Sequence, residues 1–254
     1  MRAVILAGGR GTRLAPYTTV IPKPLLPLGE RPILDLVLNQ LAADGFTRAT
    51  LTLGYMADYF KVFLAQRPQL RQMMDIDFIE EVKPTGTAGS LAEVPDLDEA
   101  FLVMNGDIFT DLDYGALYKY HCDQDAWLTI AAHQKQVKID LGVLETDESG
   151  VLVDYIEKPT KEYSVSMGIY IYSPQVLEMI PRGEYLDFPT LAMKLKDAGK
   201  KVLTWKTDAT WLDLGRPSDL QEATEMFIEK ESQFMPRIME EPESAAACCI
   251  GDCL

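Results

Sequence analysis

Short apolar runs alternate with helical patterns through the first half of the chain, and this alternation restricts the fold more than any other feature. Residues 2–6 form an apolar run that ends in Gly8, Gly9 and Gly11, as a buried strand entering a loop would. Leu34, Val37, Leu38 and Leu41 then follow the i, i+3, i+4, i+7 spacing of a helix, with Pro32 at its start and Gly45 at its far end. Residues 50–53 and 76–80 read as further strands, and 56–66 and 86–94 as helices. Residues 101–105 form a strongly apolar strand ending at Gly106-Asp107. This pattern predicts a three-layer α/β/α sandwich around a mainly parallel, Rossmann-like sheet. Ligands of such sheets bind at the carboxyl ends of the strands, so the 8–13 loop and Asp107 are expected in one crevice.

The second half is richer in strands, at 127–132, 141–145, 151–157 and 166–172, and reads as a mixed or antiparallel portion covering the crevice. Two helices follow, one carrying Phe188, Leu191, Ala192 and Leu195, the other Leu220, Ala223, Phe227 and Ile228. The pattern fades after Glu231, which divides the chain into a folded unit at 1–231 and a tail at 232–254, the latter without the periodicity of a packed element.

Composition removes several function classes. The net charge is −15 over 254 residues, the wrong sign for a nucleic-acid or membrane-surface binder. An anionic ligand must therefore be held by a few local cations. The early apolar run is too short to span a bilayer, and four cysteines do not make a disulfide framework, so a cytoplasmic, reducing location is expected. Cys248, Cys249 and Cys253 read as free thiols, and His121 and His133 as surface or helix-end residues.

The 8–13 loop, Gly8-Gly9-Arg10-Gly11-Thr12-Arg13, suits an anion cradle, because glycines allow close backbone approach and successive N–H groups converge. No Gly-Lys-Ser/Thr follows, as a P-loop needs, and Leu14 stands where the dinucleotide fingerprint has its third glycine. Arg13 and the proline-flanked Lys23 add two cations in an acidic chain. Asp107 lies just past an apolar strand and Asp213 between Trp211-Leu212 and Leu214-Gly215, settings where a carboxylate has few structural reasons to be.

Leu6-Ala7-Gly8-Gly9-Arg10-Gly11-Thr12-Arg13 with Pro22-Lys23-Pro24 resembles the signature of the sugar-1-phosphate nucleotidyltransferases. The resemblance continues through Gly86-Thr87-Ala88-Gly89, Asn105-Gly106-Asp107, Ile156-Glu157-Lys158-Pro159, Gly168-Ile169-Tyr170 and Trp211-Leu212-Asp213-Leu214-Gly215. It implies transfer of a nucleotidyl group from a nucleoside triphosphate to a sugar 1-phosphate, with Mg²⁺ on Asp107 and Asp213. Catalysis would fall to Arg13, Lys23 and Asp107. Nucleotide contacts are implied for Leu6, Ala7, Gly8, Gly9, Gly11, Thr12, Arg13, Lys23, Lys83, Pro84, Gly86, Thr87, Asn105, Gly106 and Asp107, with the base along residues 81–91. Sugar-phosphate contacts are implied for Gly142, Glu157, Lys158, Ser166, Gly168 and Asp213. The Gly-Thr-Ala-Gly run resembles the guanylyl-transferring branch, which favours GTP and mannose 1-phosphate or a related hexose, heptose or cyclitol phosphate. Ser166, where relatives often have Asn, leaves the sugar open. The resemblance also favours a homodimer or larger assembly, and the tail is too short for the β-helix some relatives carry.

Two other readings compete. Asp111-Leu112-Asp113 matches the Asp-x-Asp pattern of metal-dependent glycosyltransferases, although Asp113 is also placed to cap a helix starting near Tyr114. A non-catalytic nucleotide-sugar-binding regulator is the third, against which the intact set Arg13, Lys23, Asp107, Lys158 and Asp213 argues.

Overall fold

The structure, a computed structural model, describes residues 1–81 and 83–235. Seven strands form the main sheet: β1 (Arg2–Ala7), β2 (Arg48–Leu53), β3 (Asp75–Glu80), β4 (Phe101–Asn105), β5 (Leu128–Lys138), β6 (Thr160–Tyr172) and β7 (Val202–Thr207). Their spatial order is β7-β5-β6-β4-β1-β2-β3. Every neighbouring pair is parallel except the two made by β6, which runs antiparallel to both β4 and β5. The expected parallel, Rossmann-like sheet is therefore present.

The sheet is covered on both faces, which explains why its central strands read as unbroken apolar runs. Along β1, Ala3, Ile5 and Ala7 point into one core with Leu34, Leu38, Phe60, Leu117 and Phe227 from the flanking helices. Val4 points the other way, into a core with Leu91, Val176, Phe188, Leu191 and Leu195. These two cores make the three layers.

The strand-rich second half differs in layout from a separate covering portion. β5 and β6 are integral strands of the main sheet at one end, where Leu128, Ala131, Ile169 and Ile171 are buried. At the other end, 134–138 and 160–164 leave the core as an exposed two-stranded ribbon, beside the hairpin Val143–Thr146/Leu152–Ile156. Residues 134–138 (Gln-Lys-Gln-Val-Lys) and 160–164 (Thr-Lys-Glu-Tyr-Ser) carry few apolar side chains, so the expected strands 127–132 and 166–172 end close to where the sheet stops being covered. Edge strand β7 and the short antiparallel pair Ile108–Thr110/Trp211–Asp213 are not legible as apolar runs.

Packing continues past Glu231: Phe234 is buried against Phe109 at 4.2 Å between ring centroids, and Gln40 donates to its carbonyl. Cys248, Cys249 and Cys253 lie outside the described residues. Among the described residues no helix is long and apolar enough to cross a membrane.

His121 is a correction to its expected surface position, being 1% exposed in the core on helix Tyr114–Asp123. Ser173 Oγ donates to the Ala126 carbonyl, so it accepts from His121 Nε2–H at 3.0 Å, and Nδ1 accepts from Thr129 at 2.9 Å. Burial lowers its pKa from 6.5 to about 4. The unfolded chain thus takes up this proton at higher pH than the folded one, and its contribution to stability is lost as pH falls from 6.5 towards about 4. Urea titrations across that window should show a steeper loss of stability in the wild type than in His121→Gln. Equal slopes would contradict a neutral, buried His121.

Candidate active site

A cleft of about 520 Å³ opens at the carboxyl ends of β1, β2 and β4. Its floor is the 8–13 loop. Glycine is required at Gly11 and, on the neighbouring turn after β2, at Gly54. Gly11 adopts φ +60° with Thr18 and the Lys23 stem packed where a side chain would begin. Gly8 lies so close to the β2–α turn that a Cβ on Gly54 would meet its carbonyl at 2.9 Å, and Tyr55 N–H donates to that same oxygen. Leu14 is fully buried and pins the loop's far end as Thr12–Leu14 turns into a short 3₁₀ helix.

The cations and acids converge at one end of the cleft. Lys23 is 7% exposed, and its ammonium donates to Asp107 Oδ2 and lies 4.0 Å from Asp213 Oδ1. A buried ammonium is stable only when paired in this way. Asp213 arrives through the Ile108–Thr110/Trp211–Asp213 pairing, whose register sets Asp213 opposite Ile108, and Leu214 N–H donates to the Asp107 carbonyl. Two acids 106 positions apart in sequence are thus held together by backbone. Arg13 lines the cleft with its guanidinium against Gly215, where a Cβ would come within 3.1 Å of Nη1.

The other end is built by the Gly-Thr-Ala-Gly turn. Ala88 and Gly89 N–H groups donate to the Leu186 carbonyl, Leu186 N–H donates to Thr85, and Phe188 N–H donates to Thr87 Oγ1. Gly86 has φ +81°, and a Cβ on Gly89 would lie 2.8 Å from the Glu184 carbonyl. The glycines therefore serve this close crossing of chains. Residue 86 opens a single α-turn to Gly89 that continues as 3₁₀ through Glu93, shorter than the 86–94 helix expected. Glu81 lines this end, and burial raises its carboxyl above the ordinary carboxylate range, opposed in part by a hydrogen bond from Ser90.

Of the residues expected at the nucleotide, Leu6, Ala7, Gly8, Gly9, Gly11, Thr12, Arg13, Lys23, Pro84, Gly86, Thr87, Asn105 and Asp107 line the cleft. Gly106 sits behind it, its N–H donating to the Leu6 carbonyl, and Lys83 is exposed outside the lining. Of the sugar-phosphate set, Asp213 reaches Lys23, and Gly168 adjoins the Asn105 amide at a bulge next to Ser166. Gly142, Glu157 and Lys158 stand apart from the lining. Lys158 and Glu157 form an exposed pair at 3.9 Å on the hairpin, and Tyr155 fills the space beside Gly142. Thr52, Tyr185 and Asp187 also line the cleft and had no signal in sequence beyond Asp187 as a helix cap, where it accepts from Thr190 N–H.

The Asp-x-Asp residues have structural duties. Asp113 accepts from Ala116 N–H at 2.6 Å as the helix cap, and Asp111 accepts from Thr210 N–H at 2.7 Å. Neither lines the cleft, which removes the glycosyltransferase signal.

A UTP–glucose-1-phosphate uridylyltransferase of Synechocystis is 30% identical over 91% of this chain and 64% of its own length. The mannose-1-phosphate guanylyltransferase catalytic subunit beta of Drosophila melanogaster is 32% identical over 86% of this chain and 60% of its own. This chain thus matches less than two thirds of either relative. The crystal structure of HddC from Yersinia pseudotuberculosis complexed with GMP-PN superposes with a TM-score of 0.68 at 28% identity, over 89% of this chain and 99% of that one. The profile of one family, described as nucleotidyl transferase, matches residues 2–230, and with the fold and the cleft it places this chain in the nucleotidyl transferase family.

Proposed function

We propose that the protein transfers a guanylyl group from GTP to a sugar 1-phosphate, mannose 1-phosphate or a related hexose, heptose or cyclitol phosphate, giving an NDP-sugar and pyrophosphate. The observation that carries this reading is the joining of Arg13, Lys23, Asp107 and Asp213 at one end of a glycine-floored cleft. The guanylyl choice draws on the guanylyltransferase relative and on the GMP-PN bound by HddC; the uridylyltransferase relative marks the alternative.

In this reaction an oxygen of the sugar phosphate forms a bond to the α-phosphorus while the α–β anhydride breaks and pyrophosphate leaves with the electron pair. Such transfers require positioning and charge neutralisation more than covalent help. The 8–13 loop lets backbone meet the triphosphate, and the Arg13 guanidinium stabilises charge that grows on the α-phosphate. Lys23 supplies a second cation beside the two acids.

The residues fit Mg²⁺. Asp107 Oδ1 is buried without a hydrogen-bond partner, and Asp213 brings a second carboxylate to the same ammonium. A hard cation takes one or two carboxylates together with phosphate oxygens and water. Bound there, Mg²⁺ would neutralise triphosphate charge. Glu157 and Lys158, at the end of the exposed hairpin, are assigned to the sugar phosphate, which requires the hairpin to approach the cleft when substrate is bound. The exposed Leu144, Leu152, Val153 and Tyr155 of its hairpin offer an apolar surface for a homodimer or larger assembly, and a cytoplasmic location accompanies this reading.

Pyrophosphate release with Mg²⁺, measured across nucleoside triphosphates and sugar 1-phosphates, should require one pair, with GTP as the nucleotide. Silence across the matrix from folded protein would overturn the activity. Asp107→Asn should abolish turnover and leave the circular dichroism spectrum near wild type, with a lowered melting temperature because the Lys23 ammonium keeps only Asp213 at 4.0 Å; near-normal turnover would refute the metal assignment. Gly215→Val should displace Arg13 and lower kcat by up to about 100-fold, the scale of a misplaced catalytic group, with little change in melting temperature. Unchanged kcat would remove Arg13 from the mechanism.

A further inference from the structure

The two acids at the cation end of the cleft depend on a strand pair too small to hold itself together. Ile108–Thr110 and Trp211–Asp213 pair only with each other, outside the seven-stranded sheet. A two-stranded pair on its own is marginal in water. Its register nevertheless decides the site. Asp213 faces Ile108, the neighbour of Asp107, and both acids approach the Lys23 ammonium. Because side chains alternate between faces, a slip of one residue would set Leu212 or Leu214 opposite Ile108 and turn Asp213 away.

The contacts that pin this register lie at the far end of the pair, away from the cleft. Thr210, the residue before the second strand, has both of its backbone groups taken by side chains of the facing chain. The Thr110 hydroxyl donates to the Thr210 carbonyl at 2.6 Å and accepts from Leu112 N–H at 3.2 Å, so both its roles are filled. Asp111 Oδ1 accepts from Thr210 N–H at 2.7 Å. Asp111 Oδ2 accepts from the Thr210 hydroxyl at 3.4 Å and from Gln233 Nε2. Thr110 is 1% exposed, and a hydroxyl removed from water holds its partners firmly, since losing them leaves polar groups unsatisfied.

We propose that Thr110 and Asp111 are positioning residues that set the register of this strand pair, and with it the spacing at which Asp107 and Asp213 receive a divalent cation. The inference rests on the metal assignment made above and not on the choice of nucleotide. It gives Asp111 a duty as a hydrogen-bond acceptor, which an amide oxygen performs as well as a carboxylate.

The test compares Asp111→Asn with Asp111→Ala in the full chain. The first keeps an acceptor for Thr210 N–H, and the Gln233 amide can turn its own oxygen towards the new amide; the second keeps neither contact. Two quantities are read: the Mg²⁺ concentration for half-maximal pyrophosphate release, and the ratio of calorimetric affinities for GTP with Mg²⁺ and with EDTA (for UTP, should the wild type turn that over instead). Asp111→Ala should raise the half-saturating Mg²⁺ concentration about 10-fold or more, the scale for residues that orient metal ligands, and shrink the affinity ratio by a similar factor. Asp111→Asn should stay near wild type in both. Thr110→Val keeps the side-chain volume without the hydroxyl; it should move both quantities as Asp111→Ala does, and it decides the matter if Asp111→Ala does not fold. A lower kcat or melting temperature with both quantities unmoved would overturn the proposal, because a merely loosened fold does that. Equal damage from Asp111→Asn and Asp111→Ala would also overturn it, since Asp111 would then act through its charge. A wild type that needs no divalent cation would instead refute the metal assignment on which the inference stands.

Discussion

A parallel strand paired on both edges and covered on both faces leaves its chain one way out, and the cleft is organised by how β1 makes that exit. Hydrogen bonds to β2 and β4 occupy its edges, and side chains from two separate cores occupy its faces. At its carboxyl end the backbone must turn beside the ends of β2 and β4, where room for a side chain is missing at Gly54 and Gly106. Gly8 against Gly54 answers the crowding on one flank. On the other flank Gly106 answers it, where a Cβ would meet the Leu6 carbonyl at 3.0 Å. The same exposed backbone that forces glycine is what lets a phosphate approach, so the steric constraint of the fold and the chemistry of the site share one cause.

Charge is the second organiser. A chain with net charge −15 repels a triphosphate as a whole, and attraction has to be local. Lys23 meets this need from within a buried stretch, its ammonium tied to Asp107 and near Asp213. Each partner makes the other tolerable in a partly desolvated place: the acids pair with the lysine ammonium, and the lysine sits between two carboxylates that would otherwise face each other. The arrangement keeps the site assembled before any substrate enters, and Asp107 Oδ1 stays free of protein partners for a ligand cation.

What could be read from the residues was whatever depended on neighbours in sequence. The central strands, the helix at Ile33–Ala43 and the glycine loop were legible because periodicity and turn chemistry are local. Asp113 as a helix cap was legible for the same reason. What stayed hidden depended on long-range pairing. Nothing near Tyr185 or Asp187 in sequence shows that the 184–186 segment crosses the Gly-Thr-Ala-Gly turn, although two glycines so close together are the mark of a crossing chain. His121 looked like a surface residue because its partners, Thr129 and Ser173, come from other elements. The hairpin leading to Glu157 and Lys158 reads as apolar strands like the covered ones, and only the absence of a layer above it makes it exposed.

That hairpin differs from the cleft in how it is held. In the cleft the 8–13 loop, the Asp107–Leu214 contact and the Gly86 turn are tied by backbone hydrogen bonds. The residues proposed for the sugar phosphate are divided. Gly168 and Asp213 are seated next to Asn105 and Lys23, while Glu157 and Lys158 ride on a hairpin with little packed against it. Elements with few buried contacts move at low cost, and elements in a core do not. On the proposed reaction these two parts divide the work: the cleft, held by buried elements, would position the nucleotide, and the hairpin is the part of the fold that can approach it at low cost.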